Sequence, residues 1–234
     1  MSGVTTAGYV VTECGDSAVR VDTRGREREE AWRVVHTIAA ALDGYAERYA
    51  LTGIIPAYDS LLVEFDCTVT DHESIKELIG GLGDGPAVSA APREFDIPVV
   101  YGGEHGPDLE EVARYLDITP AEVIRLHGAA PLTMRCYGSP GGAPMLDGPA
   151  FPAPVPRRAV PRPHVPAGAV AVAGRQAVIS ARPAPGGWPV IGRTPLTLVD
   201  PAAEPISRFR PGDRFRFHAV PAAEWSRHAG AGLG

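Results

Sequence analysis

A chain of 234 residues with 44% hydrophobic and 21% charged residues can bury one large core or two small ones, which excludes a disordered chain. No stretch approaches the roughly 20 apolar residues of a membrane span, and Met1–Tyr9 lacks the basic start and apolar run of a leader, so a soluble cytoplasmic protein is expected. The net charge of -6 hides an imbalance: residues 1–130 carry 10 Lys/Arg against 23 Asp/Glu, and residues 131–234 carry 12 against 5.

Along the acidic stretch, strand and helix patterns alternate. Ala18–Val21 reads as a strand after the Gly15-Asp16 turn, and Trp32, Val35, Ile38, Ala39, Leu42 and Tyr45 recur at helical spacing from Glu27 onward. Leu61–Phe65 is a second strand, preceded by a turn and cap at Tyr58, Asp59 and Ser60. Thr70 with Glu73 forms a capping-box pair before Ile75, Leu78, Ile79 and Leu82, which predicts a second amphipathic helix. Arg93–Val100 is strand-like again. The order strand, helix, strand, helix, strand predicts an α+β ferredoxin-like domain over residues 1–92, its helices on one sheet face.

Residues 93–130 read as a strand and helical insert at the junction, in which the strand (93–100) is shared with whichever side claims it. Asp108 with Glu111 and Thr119 with Glu122 are two capping boxes, the second with Pro120 at the first helical position. The Gly102-Gly103 pair ahead of the first helix is either a plain turn or a source of free amides for an anion. From residue 131 the chain is proline-rich, holding 18 of the 24 prolines. Short strands are predicted at Ala169–Val172, Ala177–Ser180, Pro189–Ile191, Leu196–Val199 and Phe215–Ala219. Their turns are Pro166-Ala167-Gly168, Pro185-Gly186-Gly187 and Pro211-Gly212-Asp213. This punctuation predicts a small β-barrel over 131–222 and a disordered tail over 223–234, which ends in Ala229-Gly230-Ala231-Gly232-Leu233-Gly234.

Several chemistries find no support. Cys14, Cys67 and Cys136 are odd in number and widely spaced, which predicts buried free thiols and neither a disulfide framework nor a metal site. The basic half scatters its arginines among prolines without a helix or aromatic-bearing strand to gather them, which argues against nucleic acid. No GxxxxGK[ST] loop is present, and the one lysine, Lys76, falls on a predicted surface helix. An ATP site would be unconventional or shared with a partner.

Six runs together carry a family resemblance: IPVVYGGEHGPDLEEVARYLDITPAEVIRLH (97–127), PRRAVPRPHVPAGAVAVAG (156–174), PGGWPVIGRTPLTLVDP (185–201), RPGDRFRF (210–217) and, upstream, GDSAVRV with PAYDSLLVEFD. In this order, over roughly residues 9–220, they resemble the 5-oxoprolinase B subunit, a family also called allophanate hydrolase subunit 1 or KipI, the C and D subdomains of a carboxyltransferase domain. The resemblance implies a ferredoxin-like domain followed by a mainly-β cyclophilin-like barrel. It implies a subunit inactive alone. With a larger carboxyltransferase-domain partner (subdomains A and B) and the lactam-binding A subunit of 5-oxoprolinase, it opens 5-oxo-L-proline to L-glutamate using ATP. ATP with Mg2+ is the implied cofactor, bound here or mainly by a partner. No metal site of the chain's own, nucleic acid or membrane is implied.

Phosphorylation of a lactam oxygen leaves the protein to position, neutralise charge and supply a base, so Arg, His and backbone amides are the residues of interest. His127, at the RLH motif, is either a general base or phosphate contact or a helix-end histidine favoured by the dipole. Arg162 and Arg193 are the other catalytic candidates. Arg158, Gln176, Gly186, Gly187, Trp188, Pro140 and Gly141 are candidates for substrate or ATP binding. Rigid neighbours aim the arginines, which are otherwise solvated or partner-facing, and Trp188 is either a ring-binding face or barrel core.

Two departures stand out. Where the family resembles GF-x-PGF-x-YL, this chain has Tyr137-Gly138-Ser139-Pro140-Gly141-Gly142-Ala143-Pro144-Met145-Leu146, a looser loop with fewer aromatics, and Arg175 replaces the second glycine of a GGQ motif. Two further readings therefore stay open: a KipI-like inhibitor that binds the dimerisation helices of a sensor histidine kinase, and a diverged subunit for another small amide or urea derivative.

Overall fold

Apolar residues at two different periods build the first part of the molecule. A computed structural model describes residues 4–6, 8–23, 25–82, 91–139 and 141–233 and divides the chain into two units, Met1–Ala90 and Ala91–Gly234. In the first, β1 (Val4–Thr6), β2 (Tyr9–Glu13), β3 (Ala18–Asp22), β4 (Leu51–Pro56) and β5 (Ser60–Phe65) form an antiparallel sheet of order β1-β2-β3-β5-β4. Period-2 alternation buries Leu61, Val63 and Phe65 of β5. Helical spacing turns Val34, Val35, Ile38 and Leu42 of α1 (Arg28–Asp43) and Ile75 and Ile79 of α2 (His72–Leu82) into the same core.

This unit differs from expectation in three ways. Strands β2 and β4 add to the sheet; β4 escapes an alternation reading because a register shift falls between Leu51 and Gly53. The cap of α2 is Asp71, whose Oδ1 accepts the Ser74 N–H at 2.9 Å, not the Thr70–Glu73 pair. Lys76 is 5% exposed, its ammonium 2.6 Å from Glu13 Oε1 on β2, so its stem is packed and it is no open surface lysine.

The second unit is a closed barrel. Its staves are β6 (Glu94–Tyr101), β7 (Leu132–Tyr137), β8 (Pro144–Asp147), β10 (Ala169–Ala173), β11 (Gln176–Ile179), β13 (Val190–Arg193) and β14 (Arg214–Ala219), while β9 (Arg162–Val165) and β12 (Ala184–Gly186) form a separate two-stranded ribbon. Barrel order is β10-β11-β8-β7-β14-β6-β13, and β6 runs parallel to β14 with all its other neighbours antiparallel. The strand expected to complete the ferredoxin-like layer is thus a barrel stave. The helices α3 (Leu109–Leu116) and α4 (Pro120–His127) belong to the barrel unit and bury Leu109, Val112, Leu116 and Val123 in its core. With them the charge break shifts: residues 1–90 hold 7 Lys/Arg against 15 Asp/Glu, and residues 91–234 hold 15 against 13.

Thr119 caps α4 as expected, accepting the Glu122 N–H at 3.2 Å. Leu196–Val199 forms no strand, only single bridges from Thr197 to Gly232 and from Val199 to Ser207. The tail is ordered where disorder was expected: a 3-10 turn (Ala222–Glu224) leads into α5 (Trp225–His228), and Leu233 is 2% exposed in the barrel core. Cys14 and Cys67 are exposed and only Cys136 is buried, a correction to three buried thiols. Among the described residues no helix is long and apolar enough to cross a membrane.

What positions the site is that β10 is buried on both faces. Val170 and Val172 point into the barrel, while Ala169 and Ala171 point outward into a second apolar cluster with Val165, Val190, Val178 and Trp188. The β9–β12 ribbon lies over that outer face.

Candidate functional site

Between the barrel's outer face and the ribbon is a cleft of ≈ 430 Å³, a volume suited to a small molecule. Alternation along the staves sends Ala171, Met145, Val178 and Ser180 to its floor, the opposite side from Leu146, Ala177 and Ile179 in the core. One wall is the β7–β8 loop, including Gly138, Ser139 and Gly141; the other is Val165 with Pro185, Gly186, Gly187 and Trp188. The loop is closed by Gly138 N–H donating to the Ala143 carbonyl at 2.7 Å. A Cβ at Gly186 would sit 3.1 Å from Val165 Cγ2, so glycine lets the ribbon close over the floor without displacing that side chain.

Two arginines enter this cleft. The Arg157 guanidinium lies 5.8 Å from the centre of the Trp188 ring, and Arg182 lies along Gly141, where a Cβ would come within 2.8 Å of its Nε. Among the described residues the lining of this cleft contains no carboxylate, and it includes the Ser139 and Ser180 hydroxyls. Arg157 also borders a neighbouring hollow of ≈ 520 Å³ that includes Glu111, Arg114, Tyr115 and Arg158, so a carboxylate lines the hollow on that side.

One residue further along the chain, arginine has the opposite fate. Asp108, 2% exposed, receives Arg158 Nη1 at 2.6 Å, Arg162 Nη1 and Nη2 at 2.6 and 2.8 Å, and the Val190 N–H at 2.7 Å. Burial pushes its carboxyl up, but Arg162, the Val190 amide and Arg158 together hold it below the usual carboxylate range. Asp108 therefore ties the 156–162 segment to β13 and makes no side-chain cap for α3, contrary to the capping-box reading. Arg158 and Arg162 are both engaged by this buried carboxylate, and neither lines the ≈ 430 Å³ cleft.

His127 is fully buried. Its Nδ1 is 2.7 Å from the Tyr101 hydroxyl, its ring packs on Phe217 at 4.4 Å, and its Nε2 is buried without a hydrogen-bond partner among the described residues. Burial pushes its pKa down to about 3 and pushes the Tyr101 hydroxyl up, so both are neutral near pH 7. The structure places His127 in the core and not in the cleft, which corrects the expectation of a phosphate contact.

Arg193 donates through Nε to the Ala167 carbonyl at 2.8 Å, and its guanidinium lies 5.1 Å from the Trp225 ring centre; Trp225 also stacks on His105 at 4.6 Å. Gln176 pairs with Asp147 at the far end of β11, and neither it nor Arg175 lines the cleft. Arg175 sits in the β10–β11 turn after Gly174, which alone needs positive φ, at 58°, so the second glycine is dispensable for this turn. Of the ten candidates, Gly141, Gly186, Gly187 and Trp188 line the cleft; Pro140 lies outside the described residues.

The cleft residues missed in the sequence were Arg157, Arg182, Ser139 and Ser180. One signal was available: Val178, Ser180 and Arg182 share a face at period 2. For Arg157 and Arg158 no signal separates which neighbour turns inward.

Known proteins share this outline. The model of the family "Carboxyltransferase domain, subdomain C and D" matches residues 9–209. The B subunit of 5-oxoprolinase from Bacillus subtilis (strain 168) is 36% identical over 241 residues, covering 96% of this chain and 97% of that protein. The crystal structure of TTHA0988 superposes with a TM-score of 0.76 at 35% identity over 88% of this chain and 40% of that one, so the chain spans less than half of that protein. Kluyveromyces lactis urea carboxylase shares the fold, with a TM-score of 0.75 at 15% identity over 97% of this chain and 23% of that enzyme.

Fold and cleft thus define a carboxyltransferase-type C and D subdomain pair. The chain belongs to the family of the 5-oxoprolinase B subunit within that class.

Proposed function

We propose that the chain is a non-autonomous subunit of an ATP-dependent 5-oxoprolinase-type amidohydrolase, opening 5-oxo-L-proline to L-glutamate with a larger partner carrying subdomains A and B and with the lactam-binding A subunit. The observation that carries this reading is the cleft itself: the glycines and tryptophan of the PGGW run face two arginines across an apolar floor. ATP supplies the phosphoryl group that makes the lactam oxygen a leaving group. This chain's share is to hold and orient the small reactant for attack by water, because preorganised donors lower a barrier without reorganising.

The cleft's donors suit a single anionic group and not a magnesium triphosphate, since its described lining offers no carboxylate for the metal. ATP with Mg2+ is accordingly assigned mainly to a partner, and the general base with it, His127 being shut in the core. The reading extends to architecture and place: a cyclophilin-like barrel, an amino-terminal unit of ferredoxin-like kind in which β2 takes the position of the strand after α2, and a cytoplasmic location.

The test is glutamate release from 5-oxoproline and ATP by this chain alone and after reconstitution with both partners. Release only from the mixture supports the proposal. A stable complex that hydrolyses a different small amide, or none, overturns it.

A further inference from the structure

We propose that Arg157 and Arg182 form a two-guanidinium clamp for the carboxylate of a small cyclic amide acid whose ring lies against Trp188. The inference deepens the proposed function and rests on it for the identity of the ring.

Arginines within this one unit meet contrasting fates. Arg158 and Arg162 saturate a buried carboxylate, so their charge is spent inside the protein. Arg157 and Arg182 line the same cleft with no acidic side chain in its described lining, and guanidinium groups match carboxylates with paired N–H donors. Their placement is held by the fold. The Arg158 N–H donates to the Gly187 carbonyl at 2.8 Å, which pins the backbone beside Trp188, and the adjacent Arg157 guanidinium lies over the indole. Arg182 follows Ser180 on the outward face of the chain beyond β11 and rests on Gly141, a position that a side chain there would disturb.

The rest of the cleft fits the rest of such a molecule. Val178, Ala171 and Met145 offer an apolar floor for ring methylenes, Trp188 a flat face, and the Ser139 and Ser180 hydroxyls can donate to a lactam oxygen or accept from its N–H.

The experiment is titration of the full-length chain with 5-oxo-L-proline, 2-pyrrolidinone (the same ring without the carboxylate) and inorganic phosphate. It is followed by the Trp188 indole N–H resonance, assigned with Trp188→Phe. Binding of 5-oxoproline at least about tenfold tighter than 2-pyrrolidinone is expected. A similar loss is expected for 5-oxoproline in Arg157→Gln and in Arg182→Gln, with 2-pyrrolidinone unaffected. Equal binding of the two rings, or no loss in either variant, overturns the clamp. Phosphate binding as tightly as 5-oxoproline overturns the cyclic-acid assignment and marks a general anion site. Glutamate release by the reconstituted complex separates the two proposals. Undiminished release by both variants sinks the clamp and spares the function, whereas clamp-dependent binding without release sinks the function and spares the clamp.

Discussion

Arg157 and Arg158 are adjacent in the chain, yet one faces a cleft without a counter-charge in its described lining and the other is bound to a buried carboxylate. The difference is set by Asp108, which lies some fifty residues earlier and collects two arginines and a backbone amide at the start of α3. A buried charge has to be paired, so the segment 156–162 is drawn in at 158 and 162, while Arg157 is left to line the cleft. Charge spent on holding a loop and charge available to a ligand are thus separated by one residue. Arg193 is an intermediate case, with one donor on the Ala167 carbonyl and its face covered by Trp225.

Substitutions can break this contrast. The largest effect is expected for Asp108→Asn, which strands two arginines around a buried site. Denaturant unfolding should show a loss of about 3 kcal/mol or more, and a loss below about 1 kcal/mol would mean that the pairs hold nothing. Trp225→Ala removes the cover of Arg193 and the stack on His105, for about 1–2 kcal/mol in the same measurement. If the stability is unchanged, the tail is not docked in solution.

A third test uses pH. His127 takes up a proton near 6.5 when unfolded but only near 3 when folded, so its contribution is complete above 6.5 and falls as the solution is acidified through that window, by up to about 1.4 kcal/mol per pH unit. Asp108, with its lowered pKa, adds to the loss at the acid end, because its contribution also disappears as pH falls through the folded value. His127→Gln should flatten the slope of stability between about pH 6.5 and 4.5 whatever its effect at neutral pH, and parallel slopes would refute the buried neutral imidazole. The smallest effect is expected for Arg157→Gln, within about 0.5 kcal/mol of the parent, in contrast to Asp108→Asn. A large loss there would place Arg157 with the structural arginines.

Much of the element pattern was legible from residues alone. The helices from Glu27, at Ile75–Leu82 and at Thr119–His127 carry their own periodicity, and strands such as Leu61–Phe65 and Ala169–Val172 are short apolar or alternating runs between turns. Strands Pro144–Asp147 and Arg162–Val165 were not legible, because each is four residues long and contains proline, and nothing local marks them as paired. The tail read as disordered because its glycines hide two anchors, Trp225 and Leu233, whose partners are distant in the chain.

Local order and family were therefore determined by the sequence itself: periodicity fixes which face of a helix or strand is apolar, and ordered motifs such as PGGW and RPGDRFRF are together too long to recur by chance. Which arginine binds Asp108, which unit takes Glu94–Tyr101 and where His127 ends up were decided only by the tertiary structure. Each depends on a partner many residues away, and neither charge nor periodicity at one position carries the identity of that partner.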